Sequence, residues 1–297
     1  MTVLITNDDG VAAPGIRSLA AAVRAAGHRV LVAAPLREAS GMSAALNAVT
    51  EDGKIVVEHV TLRGLDDVRA HGVAASPAYI TVLAALGAFG PVPDVVLSGI
   101  NRGANAGHAV LHSGTVGAAL TGANYGMRGM AVSLDVLTAE RAGTGPGAAF
   151  AGMASGGAAR ASTASGSAGT ASGGAAFDAA DDEARHWDTA AAIACRLLPW
   201  LIQAPAGTVL NVNSPDRDLD AVAGLRRAGL APFGQVQMTV AETGDGYVRT
   251  VVEEHGGDDV PGSDIALLAA GYATVTPIGP PTDLTSCVLP ADLVAAE

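Results

Sequence analysis

Cysteine is nearly absent: Cys195 and Cys287 are the whole supply in 297 residues. They lie far apart in sequence and outside any C-x-x-C pattern, which excludes a disulfide framework and leaves reduced thiols in a cytoplasmic protein. Aromatic residues make up 3% and charged residues 15% of the chain. The positive mean hydropathy of +0.34 therefore comes largely from alanine. No run approaches the ~18 uninterrupted apolar residues of a membrane span; the most apolar segment, Ala190 to Ala204, is cut by Arg196 and Pro199. The first residues, Met1 to Asp9, have no basic stretch and too short an apolar run for a signal peptide, so a cytoplasmic location is expected. Basic residues are scarce as well. Against 29 Asp and Glu stand 17 Lys and Arg, a net charge of −12. That excludes a nucleic-acid polymer as partner, which requires clustered cations. A small phosphorylated ligand remains compatible, because one bound cation can outweigh the overall field locally.

What the chain does have is enough apolar residues, 49%, for a sizeable core, and an alternation of short β-type runs with helical runs. Val3 to Ile5, Val30 to Ala34, Val95 to Leu97 and Met130 to Leu134 read as buried strands. Pro14 to Ala26, Pro77 to Leu86 and Thr115 to Tyr125 read as helices, the first closed by Gly27 as a left-handed cap. Lys54 to Leu62 alternates like an exposed or edge strand. Such an order predicts an α/β fold, a mostly parallel sheet covered by helices on both faces. Ligands bind at the carboxyl ends of the strands in sheets of this kind.

From about Gly143 to Ala176 the composition falls to Gly, Ala, Ser and Thr, which predicts a disordered insertion. A helix over Thr189 to Gln203 and a strand over Val209 to Val212 follow. Val236 to Val240, Tyr247 to Glu253 and Tyr272 to Ile278 alternate with turn residues between them, a hairpin pattern. Residues 1–220 thus read as a catalytic core interrupted by the insertion. Residues 221–297 read as a β-rich extension, an oligomerisation arm that returns to the core.

Three clusters carry chemistry. Thr6-Asn7-Asp8-Asp9-Gly10 follows the first strand, and two adjacent carboxylates in a glycine-bent loop suit one hard cation; the same tetrapeptide is also ordinary turn chemistry. Ser98 to Gly107 follows the third buried strand and offers Asn101 and Asn105 as amide ligands or donors. Ser113-Gly114-Thr115 opens a helix whose N-terminus is an anion site, and Ser113 equally suits a capping role. Ser40-Gly41, after the second strand, adds an exposed hydroxyl in a turn. His108 and His112 lie four apart and are more consistent with solvated residues than with acid–base catalysts.

The stretches Thr6 to Ile16, Ser98 to Asn105 and Ser113 to Gly117 resemble the signature segments of the SurE (survival protein E) family. The resemblance continues through Arg185 to Ala190, Leu210 to Asn213 and Gly271 to Pro277. It implies a Rossmann-like three-layer α/β core with a C-terminal arm exchanged within a homodimer or homotetramer, and a divalent-metal-dependent nucleotidase for 5′ or 3′ monophosphates. It also implies one Mg²⁺ or Mn²⁺ per subunit held by Asp8, Asp9, Ser40 and Asn101. Asn105, Ser113, Gly114 and Thr115 would then hold phosphate, and Asp9, more readily than Asp8, would take a proton from the attacking water. Two departures stand out: His108-Ala109 replaces a usual acidic pair, and Leu36 to Ala39 replaces an Asp-Arg-Asn-like run. Two competing readings are a sensor module of the same fold without turnover, and an aspartyl-phosphate phosphatase. The latter needs acids two positions apart, whereas Asp8 and Asp9 are adjacent. No G-x-G-x-x-G follows the first strand, which disfavours a dehydrogenase.

Overall fold

The structure is a computed structural model that describes residues 1–137, 182–234, 236–244, 247–254 and 260–281. The expected insertion at 143–176 and Cys287 lie outside the described residues.

In chain order the strands are β1 (Thr2–Thr6), β2 (Arg29–Pro35), β3 (Thr50–Glu51), β4 (Lys54–Ile55), β5 (Val57–Val60), β6 (Arg69–Val73) and β7 (Val95–Arg102). They continue as β8 (Arg128–Asp135), β9 (Val209–Pro215), β10 (Leu225–Arg227), β11 (Val236–Gly244), β12 (Tyr247–Glu254) and β13 (Ala273–Ile278). The α-helices are α1 (Pro14–Ala25), α2 (Pro77–Ala85), α3 (Gly114–Asn124), α4 (Trp187–Gln203) and α5 (Asp264–Ala269). A nine-stranded sheet runs β10-β13-β9-β8-β7-β1-β2-β6-β5. The six strands from β9 to β6 are mutually parallel. β5 pairs antiparallel to β6 at one edge, as the alternation over Lys54 to Leu62 predicted. The mostly parallel α/β architecture is as expected.

Alternation along the strands divides the core in two. Val3, Ile5, Leu97, Val132 and Val212 face α1 and α4, where Ile16, Leu19, Leu198 and Leu201 are fully buried. Leu4, Val96 and Leu31 face Ile80 of α2, and Ala131 and Val209 face Val116 and Ala119 of α3. Helix α1 starts at Pro14, where a missing N–H costs nothing, and Gly27 follows it with φ of 86°. Helix α4 runs through Pro199 to Gln203. Burial raises the thiol pKa of its Cys195, as expected for an unreactive free cysteine.

Two sequence expectations are corrected. The segment Tyr272 to Ile278 is no hairpin strand: β13 enters the main sheet antiparallel to β9, with α5 ahead of it. Of the three segments, those at β11 and β12 pair with each other as a separate two-stranded hairpin. Alternation alone does not distinguish these cases, because a strand at a sheet margin and an exposed hairpin strand share period two. In addition, β7 extends to Arg102, so half of the Ser98 to Gly107 cluster is strand, with a register shift between Ser98 and Asn101.

On the α3 side, at the carboxyl half of the sheet, apolar packing gives way to a polar row. Thr6 pairs with Ser98, Ser98 with Ala131, Ala131 with Asn211, and Asn211 with Thr276. All five are buried. This row lies directly before the loops that carry the candidate site.

Helix α1 comes close to the sheet at Gly15, where a Cβ would stand 2.3 Å from the Ile100 carbonyl oxygen. Gly15→Ala is expected to destabilise the fold by about 1–3 kcal/mol through overpacking. Gly229→Ala, where nothing lies within 4 Å, should stay within about 0.5 kcal/mol. Urea unfolding of both variants distinguishes the two.

Candidate active site

The loop after β1 is shaped by Asn7. Its amide accepts from Gly10 N–H at 3.1 Å and donates to the Gly10 carbonyl at 2.9 Å, closing the turn on itself. Val11 N–H then bonds the Pro35 carbonyl, and Ala39 N–H bonds the Asp8 carbonyl, so the loops after β1 and β2 are tied together. The turn reading and the ligand reading of this tetrapeptide therefore both hold: Asn7 and Gly10 make the turn, and the turn presents the acids.

Asp8 is buried, only 5% exposed. Its carboxylate accepts a hydrogen bond from the Thr115 hydroxyl and another from the Thr115 main-chain N–H. Gly114 is the reason α3 can come so close. A Cβ there would meet Asp8 Oδ2 at 2.8 Å. Ser113 caps α3 by accepting from Val116 N–H at 3.1 Å. The helix start thus serves an anion, as its dipole favours, and the anion it touches in this structure is Asp8 itself.

Asp9 is half-buried, but its Oδ2 is sealed off without a hydrogen-bond partner. Burial, then the charges of Asp8 and Glu38, push its carboxyl up to about 8, against a smaller opposing effect from the Arg102 main-chain N–H. Burial likewise raises Asp8, offset in part by Thr115. Glu38, from the replaced run before Ser40, is thus a third acid of the site; sequence reading treated it only as a departure. Its position in the loop after β2 was the available signal.

The other expected ligands sit around this pair. Ser40 is exposed and donates its hydroxyl to Glu38 at 2.7 Å. Asn101 donates its amide to the Gly103 carbonyl at 2.7 Å. Among the described residues no group of three or more His, Cys, Asp or Glu side chains could hold a metal. The expected set instead offers two carboxylates, a hydroxyl and an amide, an oxygen donor set suited to Mg²⁺ or Mn²⁺. An orphaned Asp9 oxygen and two carboxyls pushed toward neutrality are what a cation at this point would relieve.

Asn105 is held by a set of hydrogen bonds of its own. Its main-chain N–H bonds Asn213 Oδ1 at 2.8 Å, and its carbonyl accepts from Asn211 at 2.7 Å and Asn213 at 3.0 Å. Its side-chain amide donates to Ser133 at 2.8 Å. Asn105 is therefore clamped by β8 and β9 as the floor of the site. From there the chain turns into a 3₁₀ segment, Gly107–His112. His108 and His112 are exposed there. Asp264, fully buried, accepts from Gly107 N–H at 2.8 Å and Ala231 N–H at 3.0 Å, fastening this segment to the tail. Arg102 pairs with Asp182 at 2.9 Å, and Arg185 with Asp216 at 3.0 Å, closing the far side.

Because the folded Asp9 holds its proton up to about 8, well above the ordinary carboxylate value, folding takes up a proton between the two. The metal-free protein is therefore expected to lose stability as pH rises from about 4 to 8, by no more than about 1.4 kcal/mol per pH unit for one proton. Asp9→Asn should flatten that slope. Urea unfolding in chelator across this range checks it.

The family described as Survival protein SurE matches residues 3–154. The 5′/3′-nucleotidase SurE of Edwardsiella ictaluri is 34% identical, over 96% of this chain and 92% of that protein. The protein of the same name from Shigella dysenteriae is 33% identical, over 96% and 92%. The crystal structure of the SurE protein from Aquifex aeolicus superposes with a TM-score of 0.66 at 24% identity, covering 96% of this chain and 95% of that one, and so shares the fold. With these matches over nearly its whole length, the chain belongs to the SurE family.

Proposed function

We propose that this chain is a divalent-metal-dependent phosphoric monoester hydrolase acting on nucleoside 5′- and 3′-monophosphates. The observation that carries the reading is the meeting of Asp8 and Asp9 with the start of α3, Thr115 bonded to Asp8 and Gly114 packed on it. Asp8, Asp9, Ser40 and Asn101 would hold one Mg²⁺ or Mn²⁺. When bound, such an ion polarises phosphoryl oxygens and eases deprotonation of water.

The protein supplies the rest. Ser113 and Gly114 bring the positive end of α3 against the phosphate and its developing charge. Thr115, expected to touch phosphate, instead orients Asp8. Asn105 sets the floor beneath the substrate through its clamp on Asn211 and Asn213. Asp9, whose Oδ2 has no hydrogen-bond partner within the protein, takes the proton from the attacking water.

The same family resemblance supports a homodimer or homotetramer built through residues 221–297, whose β11–β12 hairpin exposes Val240, Tyr247 and Val248. A division of the chain near residue 220 and a cytoplasmic location belong to this reading. Among the described residues no helix is long and apolar enough to cross a membrane.

Phosphate release from a panel of 5′- and 3′-monophosphates, with Mn²⁺, with Mg²⁺ and after chelation, tests the proposal. Release that chelation stops, and that Asp8→Asn and Asn101→Ala reduce by roughly 10²–10³-fold, is expected. No release with any metal would leave the sensor reading standing. Thr115→Val removes a hydrogen bond that favours ionised Asp8, so the acid limb of the pH–rate profile should move to higher pH. An unmoved limb would mean that Thr115 does not act through Asp8.

A further inference from the structure

At the sheet edge away from the active site, β4 to β6 and the end of α2 enclose a cavity of ≈ 760 Å³, within the range of roughly 300–1,000 Å³ typical of small-ligand sites. One strand, β2, separates β6 in its wall from β1 and the carboxylates. Arg69 and His71 lie opposite Leu31 and Ala33 on β2, nearer the amino than the carboxyl end of the sheet.

Its wall is chemically unlike the rest of the chain. His59 and His71 face each other across β5 and β6, with ring centroids 4.8 Å apart, and His71 stacks on Phe89 at 5.2 Å. His71 is 6% exposed, and both of its ring nitrogens lack a hydrogen-bond partner. Burial, followed by the charges of His59 and Arg69, lowers its pKa. The guanidinium of Arg69 donates to the Phe89 carbonyl at 3.3 Å and lies across Gly90, where a Cβ would meet it at 3.0 Å. Ile55 and Leu83 supply apolar surface, and none of the lining residues is Asp or Glu. In a chain of net charge −12, a pocket lined by one arginine and two histidines without a carboxylate is selective for anions.

We infer that this cavity is a second ligand site that takes a planar, anion-bearing molecule of the nucleotide class. The ring of the ligand lies against the His59–His71–Phe89 stack and the aliphatic wall, and its phosphate is held by Arg69, whose planar fork suits that group. This site is independent of the catalytic reading, since it shares no residue with it.

Equilibrium dialysis of the full chain with a non-hydrolysable methylene-phosphonate analogue of adenosine monophosphate, in the presence of Mn²⁺, tests the inference. Ring-nitrogen NMR of His59 and His71 accompanies it. Two equivalents per chain are expected for the wild type, with both histidine signals shifting. Arg69→Gln and His59→Gln replace exposed side chains and should each weaken the second equivalent at least tenfold, while phosphate release stays within twofold of wild type. A single equivalent with unmoved histidine signals would overturn the site. Inorganic phosphate shifting those signals as tightly as the analogue would overturn its assignment to a ring-bearing ligand. Failure of the catalytic reading would show separately, as absent phosphate release with any metal.

Discussion

The burial of Asp8 against the first turn of α3 is the contact around which the carboxyl edge is arranged. A carboxylate removed from water is costly unless it is bonded or paired, and here the compensation comes from Thr115 and from the helix dipole. Gly114 makes the approach possible. Asp9 next to it has no such compensation on Oδ2, and Glu38 adds a third negative charge. The loop after β1 therefore concentrates unfavourable charge at the point where a cation and a phosphoryl group would meet. Stability is lowered locally, and the site gains an environment already set for positive charge.

The polar row beneath this loop belongs to the same design. Thr6, Ser98, Asn211 and Thr276 replace apolar residues on the side of the sheet that faces α3. Asn211 and Asn213 then reach up to fix the Asn105 peptide. A loop held by two side-chain amides of β9 and a hydroxyl of β8 keeps its shape without apolar packing. On the opposite face, α1 and α4 pack on Ile5, Leu97, Val132 and Val212 in the usual dry manner. One sheet thus has a structural face and a face that becomes chemical toward its carboxyl end.

Much of this was legible in the residues. Short apolar strands between helical runs identified the parallel sheet, and Pro14 and Gly27 bounded α1 closely. The acids at 8 and 9 and the helix start at 113 were found because each follows a recognisable element boundary. What was not legible depended on long-range pairing. β13 joins β9 from more than fifty residues away, and period two carries no information about which partner a strand chooses. Asn105 looked like a ligand because its type suits one, whereas its hydrogen bonds to Asn211, Asn213 and Ser133 arise only in the folded sheet. Glu38 gave no pattern of its own, and it matters because Ala39 ties its loop to Asp8.

Asp264 carries a mechanical consequence. The segment that bears the β11–β12 hairpin leaves the body near Gly229 and returns at Ser263, and these two residues are bridged to each other. Asp264, one residue on, grips Ala231 with one oxygen and Gly107 with the other. The hairpin's root and the 3₁₀ segment leading to Ser113 are thereby clasped by a single buried carboxylate. A pull on the hairpin's root would therefore be felt first at Gly107, the residue from which the 3₁₀ segment runs to the start of α3.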